Sequence, residues 1–397
     1  MEPAALLRLI APHFAAAGVT RVADVTGLDR IGIPVALATR PNSRSLSVSQ
    51  GKGDSRDAAF AGAAMEALEL AAAERLPEAL RTSTLNAVRG TGEPVIGLEV
   101  STRCRVDRLG RNELLLWTEG RDLAAERGVA VPWSLVGVDY RPDPAGYHPA
   151  FQVSTDGLAS GATAEEAIFH GLCELVERDA SALLEFMPTE ALSRRLRTIP
   201  AEDAPEAAAL QEMIEAAGCR LTIIDMTTNL GVPAFTAFIS DSAAGGAEPL
   251  PRYVHSGGCG CHPDPARALM KAVLEAAQSR ITRIAGSRDD LPPDVYGAAE
   301  SVERQGLLEL FALADAPVEQ PVELSASTSI DDPVEGIRWI VERLMRHGID
   351  QIVAVPIAND FDIAVMRMVV PGLQTELTGG RSKLGLRALS AVLGRLN

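Results

Sequence analysis

"GLASGATAEEAIFHGLCELVERDA", residues 157–180, runs from a glycine-rich approach into a helix that sets Glu174 and Glu177 three apart, with Arg178 directly after. On a helix the two carboxylates share a face, where like charges cost on the order of a few tenths of a kcal/mol. Either that face is solvated, or something positive sits between them. His170, Arg178 and Ser181 lie on the same side, and Ile168, Leu172, Leu175, Val176 and Leu183 lie opposite. That is an ordinary amphipathic pattern, so this helix alone leaves both readings open. Asp179 falls with the apolar side and is expected to be buried and hydrogen-bonded in a structural role.

The arrangement recurs. "QGKGDS" (50–55) precedes a helix expected over 56–76 that carries Glu66 and Glu69. "GGCGCHPDP" (257–265) precedes a helix expected over 264–284 that carries Glu275 and Gln278. The first members lie 108 and 101 residues apart, too far for a solenoid repeat. The spacing suits a pseudo-repeated α+β unit whose three helices present polar pairs to one place.

The pair at 66 and 69 discriminates best. At about 100° per residue its neighbours on the face are Ala59, Gly62, Leu70 and Ala73, all small or apolar. A wet face would carry more charge, and buried carboxylates need a partner or a metal. The third helix groups Lys271, Glu275, Gln278 and Thr282, where a solvated Lys–Glu pair is the plain alternative. Arg280 points to the side of Met270 and Val273.

Magnesium prefers oxygen ligands and typically takes one or two carboxylates together with phosphate oxygens and water. Two acidic pairs could therefore hold two Mg²⁺ ions on one triphosphate, with Lys52 and Arg178 as further positive charge. "QGKGDS" is no Walker loop: Leu46 stands where the first glycine is required and Gly53 where Ser or Thr follows the lysine. Any nucleotide site is thus of another kind. A carboxylate pair for sugar hydrolysis is the rival, but three Trp and four Tyr leave few sugar platforms.

Composition narrows the classes. The 397 residues are 47% apolar, enough for a large core, and carry a net charge of −16, which removes a global basic field for nucleic acid. No run of 18 apolar residues exists, so no membrane span is expected, and "MEPAALLRLIAPHF" lacks the form of a signal peptide. Both point to the cytoplasm. Five cysteines in such a chain argue against a disulfide framework. "CGCH" (259–262) reads as a glycine-rich turn more readily than as a metal site, since no second ligand pair matches it. Only Lys52, Lys271 and Lys383 are lysine among 37 basic residues, so each is a mild outlier and a candidate phosphate contact.

Along the chain, a helix is expected over 3–17 and strands over "IPVALAT" (33–39), "SLSVS" (45–49), 113–118, 129–138, "RLTIIDM" (220–226), "VPAFTAFIS" (232–240), "IVAVPI" (352–357) and "IAVMRMVV" (363–370). Further helices are expected over 203–217, 333–347 and near the C-terminus, with "SDSAAGGAEPLP" (240–251) as a loop. Strands and helices mix without strict alternation, which favours α+β over a doubly wound sheet.

"GKG…A…EALE", "GLASGATAEEAIFHGLCELVERDA" and "HPDPARALMKAVLEAAQSRITRIAGSRDD", in this order, closely resemble the YcaO family. The resemblance spans roughly residues 45–375 and includes "LLLWTEGRDL" and "MRMVVPGL". It implies a non-P-loop ATP-binding fold with mixed and antiparallel sheets flanked by helices, commonly in a homodimer. The implied division is an N-terminal segment 1–44, a catalytic domain 45–375 and a C-terminal helical tail 376–397. It implies ATP- and Mg²⁺-dependent activation of a peptide backbone amide. Carried over by motif, Glu66, Glu69, Glu174 and Glu177 hold magnesium, and Lys52 and Arg178 contact phosphates. Glu275 and Gln278 complete the nucleotide pocket, with Arg280 a further candidate, while Glu66, Glu174 and Arg178 are the residues expected to carry catalysis. Gly62 stands where the family often has serine and Leu70 where it often has arginine, so one phosphate or ribose contact is expected to differ.

The end "SAVLGRLN" lacks the proline-rich tail of many azoline-forming members, and no long leader-binding extension precedes the motifs. The chain is similar to stand-alone members paired with a TfuA-type protein, which implies thioamide formation on a peptide or protein. A partner-dependent azoline cyclodehydratase is the alternative, and a nucleotide-binding accessory protein without turnover a third.

Overall fold

The computed structural model describes residues 1–110, 112–241, 255–288, 318, 320–324, 330–375 and 383–393. The chain opens with helices α1 (Pro3–Ile10) and α2 (Phe14–Ala17), separated by a 3₁₀ turn over Ala11–His13. The single helix expected over 3–17 is thus broken at Pro12, which has no N–H to continue the ladder. Gly18 closes it in the left-handed region at φ 76°.

Strands β1 (Arg21–Asp24), β2 (Val35–Thr39) and β3 (Val48–Lys52) form an antiparallel sheet. Helix α3 (Arg56–Ala73) follows, capped by Ser55, whose Oγ accepts from the Ala58 N–H at 3.3 Å. Next come β4 (Arg81–Thr84), α4 (Leu85–Gly90), β5 (Leu114–Asp122), β6 (Arg127–Pro132) and β7 (Leu158–Gly161). The strand expected over 129–138 stops at Pro132, and Trp133–Leu135 form a 3₁₀ turn. Helix α5 (Ala164–Leu184), α6 (Thr189–Ser193), β8 (Leu196–Arg197) and α7 (Pro205–Ala216) lead to β9 (Cys219–Asp225), β10 (Ala234–Asp241), β11 (His255–Cys261) and helix α8 (Pro265–Ala285). A helix over Pro333–Arg346, β12 (Val353–Pro356), β13 (Ala364–Val369) and a helix over Leu386–Val392 complete the described elements. From residue 242 the expected loop lies outside the described residues, as do residues 376–382 and 394–397 of the tail expected over 376–397.

β8 to β11 form a second antiparallel sheet in the order β11-β10-β9-β8. The third runs β4-β5-β12-β13-β7, with β6 also on β5. The fold is α+β with antiparallel sheets and helices, as expected.

One correction decides the site. The glycine-rich approaches are not loops: β3, β7 and β11 are strands, each feeding directly into a helix. "GGCGC" in particular is strand rather than turn, paired with β10 from Ala234↔Cys261 to Ser240↔His255. Glycine is there because the next helix lies on the strand. A Cβ at Gly51 would stand 2.0 Å from the Ala59 carbonyl oxygen of α3, and one at Gly161 2.7 Å from Glu166 Cβ of α5. One at Gly260 would stand 2.1 Å from the Ala268 carbonyl oxygen of α8. The helices answer with alanine, and Ala59, Ala63, Ala268 and Ala272 are all buried. Three strand–helix units result. They pack in a ring: α3 also touches β7, α5 touches β11, and α8 touches β3.

Candidate functional site

In each unit the first member of the polar pair accepts a backbone N–H from its own strand or, for Gly157, from the residue just before it. Gln50 N donates to Glu66 Oε2 at 2.9 Å, Gly157 N to Glu174 Oε2 at 3.1 Å, and Cys259 N to Glu275 Oε1 at 3.4 Å. The donor precedes its acceptor by 16, 17 and 16 residues. The pseudo-repeat expected from the motifs is therefore a repeat of hydrogen bonding.

The second members reach the neighbouring unit. Glu69 Oε2 accepts from Ser160 Oγ of β7 at 2.8 Å, and Gln278 Nε2 donates to Gln50 Oε1 of β3 at 3.3 Å. Glu177, only 5% exposed, lies on α5 where it packs against β11, and its charge raises the Cys259 thiol. Lys52 Nζ bonds Glu275 Oε2 across the ring, joining β3 to α8. Six expected residues on three helices and Lys52 thus meet in one place. Arg178 joins them, its guanidinium 3.8 Å from Glu174 Oε1 and 3.9 Å from Asp156 Oδ1.

Arg280 does not join this ring. It is 4% exposed and committed to Asp29 at 3.0 Å and Asp241 at 3.2 Å, two acids brought in from distant segments. Lys271 is not a solvated partner of Glu275 either. Its Nζ donates to the Cys261 carbonyl at 3.2 Å, and although burial opposes its charge, Glu177 and its other neighbours together, Glu275 among them, raise it. Sequence reasoning missed Gln50, Ser160 and Asp156; Thr282, grouped with Glu275 and Gln278 from the helical pattern, donates from Oγ1 to Gln50 Oε1 at 2.6 Å. The only sequence signal of the three missed residues is that each lies within or beside a motif.

Burial dominates the electrostatics. It raises Glu66 above the usual carboxylate range even though Gln50 N, Arg288 and Lys52 favour its charge. Glu69 is pushed well above that range by burial, with Glu174 and Glu66 adding repulsion. Glu174 is pushed up to about 8 by burial, with Arg178 opposing and Asp156 and Glu177 adding to the rise. Burial also raises Glu177, with Glu275 nearby. Glu275 alone is lowered, because Lys52 and Arg178 outweigh its burial. Four carboxylates are therefore crowded at a cost, which is how cation-binding groups are held when the cation supplies the missing charge. Among the described residues no three His, Cys, Asp or Glu side chains converge tightly enough to chelate an ion unaided.

Asp179 is fully buried, as expected from its place on the apolar side. Its carboxylate accepts from Gln374 N at 2.8 Å and from Arg387 Nε at 2.9 and 3.0 Å, with Arg387 Nη2 at 2.8 Å. It ties α5 to the Leu386–Val392 helix. Asp179→Ala strands a nearly buried guanidinium and is expected to cost about 3 kcal/mol or more in urea unfolding.

A family model described as YcaO cyclodehydratase, ATP- and Mg²⁺-binding, matches residues 50–374. The chain belongs to the YcaO family. A relative from Rhizobium leguminosarum bv. trifolii, called an uncharacterized protein in the tfuA 3' region, is 42% identical over 99% of this chain and 93% of its own. Among solved structures, the YcaO of Methanopyrus kandleri, bound with AMPPCP and Mg²⁺, superposes with a TM-score of 0.70 at 23% identity. It covers 97% of this chain and 94% of that one. A heterocyclase in complex with substrate and cofactor gives 0.73 at 20% identity, over all of this chain but only 56% of its own. These likenesses show the YcaO fold. No described helix is long and apolar enough to cross a membrane.

Proposed function

We propose that this YcaO protein uses ATP and Mg²⁺ to activate a peptide backbone amide, and that a sulfide equivalent then gives a thioamide, with a TfuA-type protein as partner. The observation that carries the ATP-dependent step is the ring itself: two acidic pairs on α3 and α5, the first member of each held by a backbone N–H, with Lys52 and Arg178 at the same place. Bound Mg²⁺ would neutralise the triphosphate charge and orient the γ-phosphoryl group. Glu66, Glu69, Glu174 and Glu177 are the residues to hold it. Arg178 supplies a permanent charge beside them, and Lys52, released from Glu275 by a competing phosphate, supplies a second. In the reaction the nucleophile adds to the amide carbon, and the resulting oxyanion takes the γ-phosphoryl group. The C–O bond then breaks as phosphate leaves.

The choice of sulfide is supported by the tfuA-region name of the Rhizobium relative. The cyclodehydratase description of the family supports the second reading, in which a Cys, Ser or Thr side chain is the nucleophile and an azoline forms. Mass spectrometry of the natural peptide, incubated with protein, partner, ATP and a sulfide source, separates the two. Exchange of oxygen for sulfur raises the mass and is the expected result, while loss of water would replace the thioamide reading with the azoline one. Absence of phosphate release with every peptide and partner would sink both.

A further inference from the structure

Arg367 lies on β13 and is completely buried. Among the described residues no carboxylate forms an ion pair with it. Its Nε donates to the Val136 carbonyl at 2.9 Å and its Nη1 to the Asp156 carbonyl at 2.7 Å, while its Nη2 is buried without a hydrogen-bond partner. An arginine enclosed this way is costly, because it keeps its charge and loses water. If its task were only to tether a loop, a neutral donor would serve at less cost.

The Asp156 carbonyl belongs to the same peptide unit as the Gly157 N–H, which donates to Glu174 Oε2 at 3.1 Å. The guanidinium therefore pulls on one end of a peptide dipole whose other end grips the carboxylate. Hydrogen bonds in series polarise one another, and the guanidinium end here carries a full charge. The peptide cannot turn. Gly157 sits at φ 74°, its carbonyl accepts from Met368 N at 2.7 Å, and a Cβ there would stand 2.5 Å from the Met368 carbonyl oxygen. Arg103, 6% exposed, grips the same segment further back, donating twice to the Gln152 carbonyl at 3.2 and 3.1 Å.

We propose that Arg367 is a positioning residue of the nucleotide site, fixing and electrostatically supporting the Glu174 carboxylate through the Asp156–Gly157 peptide. The inference rests on the reading of Glu174 as part of the Mg–ATP site. Burial, with Arg103 beside it, lowers Arg367 to about 10, so it stays a cation at neutral pH.

Calorimetric titration of Mg–ATP into Arg367→Gln, Arg367→Lys and Glu174→Gln tests it. Arg367→Gln, which keeps a donor but loses the charge, is expected to weaken binding at least ~10-fold, the scale of outer-shell losses. Arg367→Lys should recover most of that. Folded Arg367→Gln with wild-type affinity, or Lys no better than Gln, overturns the proposal. If Glu174→Gln itself binds normally, the site reading fails and the proposal with it; normal binding by Arg367→Gln alone removes only the positioning role. A second readout needs no nucleotide. Glu174→Gln should stabilise the Arg367→Gln background differently from the wild type in urea unfolding, and should restore folding if the single variant fails to fold. Additive effects, or a double variant that still fails to fold, overturn the proposal.

Discussion

Glu174→Gln should abolish Mg–ATP binding, with a loss of at least ~100-fold in affinity, because it removes a ligand rather than the outer support whose loss costs ~10–100-fold. The same variant should be the more stable protein in buffer without divalent cations. Glu174 is pushed up to about 8 from its ordinary 4.5, first by burial and then by Asp156 and Glu177, against the pull of Arg178. Between those two values the folded state holds its proton while the unfolded chain releases it. The stability this carboxyl contributes is therefore complete below the unfolded value and is lost as pH rises through the folded one, by up to ~1.4 kcal/mol per pH unit. Glutamine has no such slope. Thermal melts across this window should show wild-type stability falling with pH and the variant falling less steeply, since the raised carboxyls of Glu66, Glu69 and Glu177 remain in both, with Mg–ATP restoring the wild type alone. Wild-type nucleotide affinity in Glu174→Gln or Glu66→Gln would sink the clamp.

Opposed slopes of stability and binding are the physical signature of a site built against the fold's own preference. Glu66 and Glu69 extend it. On α3 they sit among the alanines that let the helix lie on β3. The third helix differs. Gln278 replaces the second acid, and Lys52 compensates Glu275, so that part of the ring is already neutral before any ligand arrives.

What the sequence revealed follows from which forces are local. Helices α3 and α8 were legible to within a few residues and α5 as a helix, α5 and α8 because apolar positions recur at helical spacing and α3 because alanine is a strong helix former. The polar pairs were legible too, since i and i+3 must share a face. The strands β7 and β11 were not. Glycine is depleted from strands, and "GGCGC" reads as a turn until a helix backbone is known to lie across it. The Glu–N–H bonds 16 and 17 residues back were equally hidden, because they need the strand–helix reversal first. Arg280 shows the limit most plainly. Its partners Asp29 and Asp241 lie 251 and 39 residues away, and no spacing rule connects them. Arg367 lay inside the recognised "MRMVVPGL" and still carried no signal, since its role runs through a peptide bond rather than through its own position.

Gly258→Ala tests the strand–helix contact that holds the third unit. A Cβ at Gly258 would lie 2.1 Å from Ala276 N, 2.4 Å from the Glu275 carbonyl carbon and 2.7 Å from the Ala272 carbonyl oxygen. All three are backbone atoms, so no rotamer change relieves the clash, and α8 must lift off β11. Overpacking a core ordinarily costs ~1–3 kcal/mol, and a collision with a rigid helix belongs at or beyond the top of that range. We expect at least ~3 kcal/mol lost in urea unfolding, or an insoluble protein. Gly257→Ala is the matched control. One residue away on the opposite face, its Cβ would meet the Phe238 ring at 2.9 Å, a side chain that can turn aside. It should cost no more than ~1.5 kcal/mol, in line with a modest volume change. Equal costs at the two positions would mean that the helix does not lie on the strand at this distance. The effect also reaches the site. Lifting α8 carries Glu275 away from the Cys259 N–H and from Lys52, so any soluble Gly258→Ala should lose nucleotide affinity that Gly257→Ala keeps.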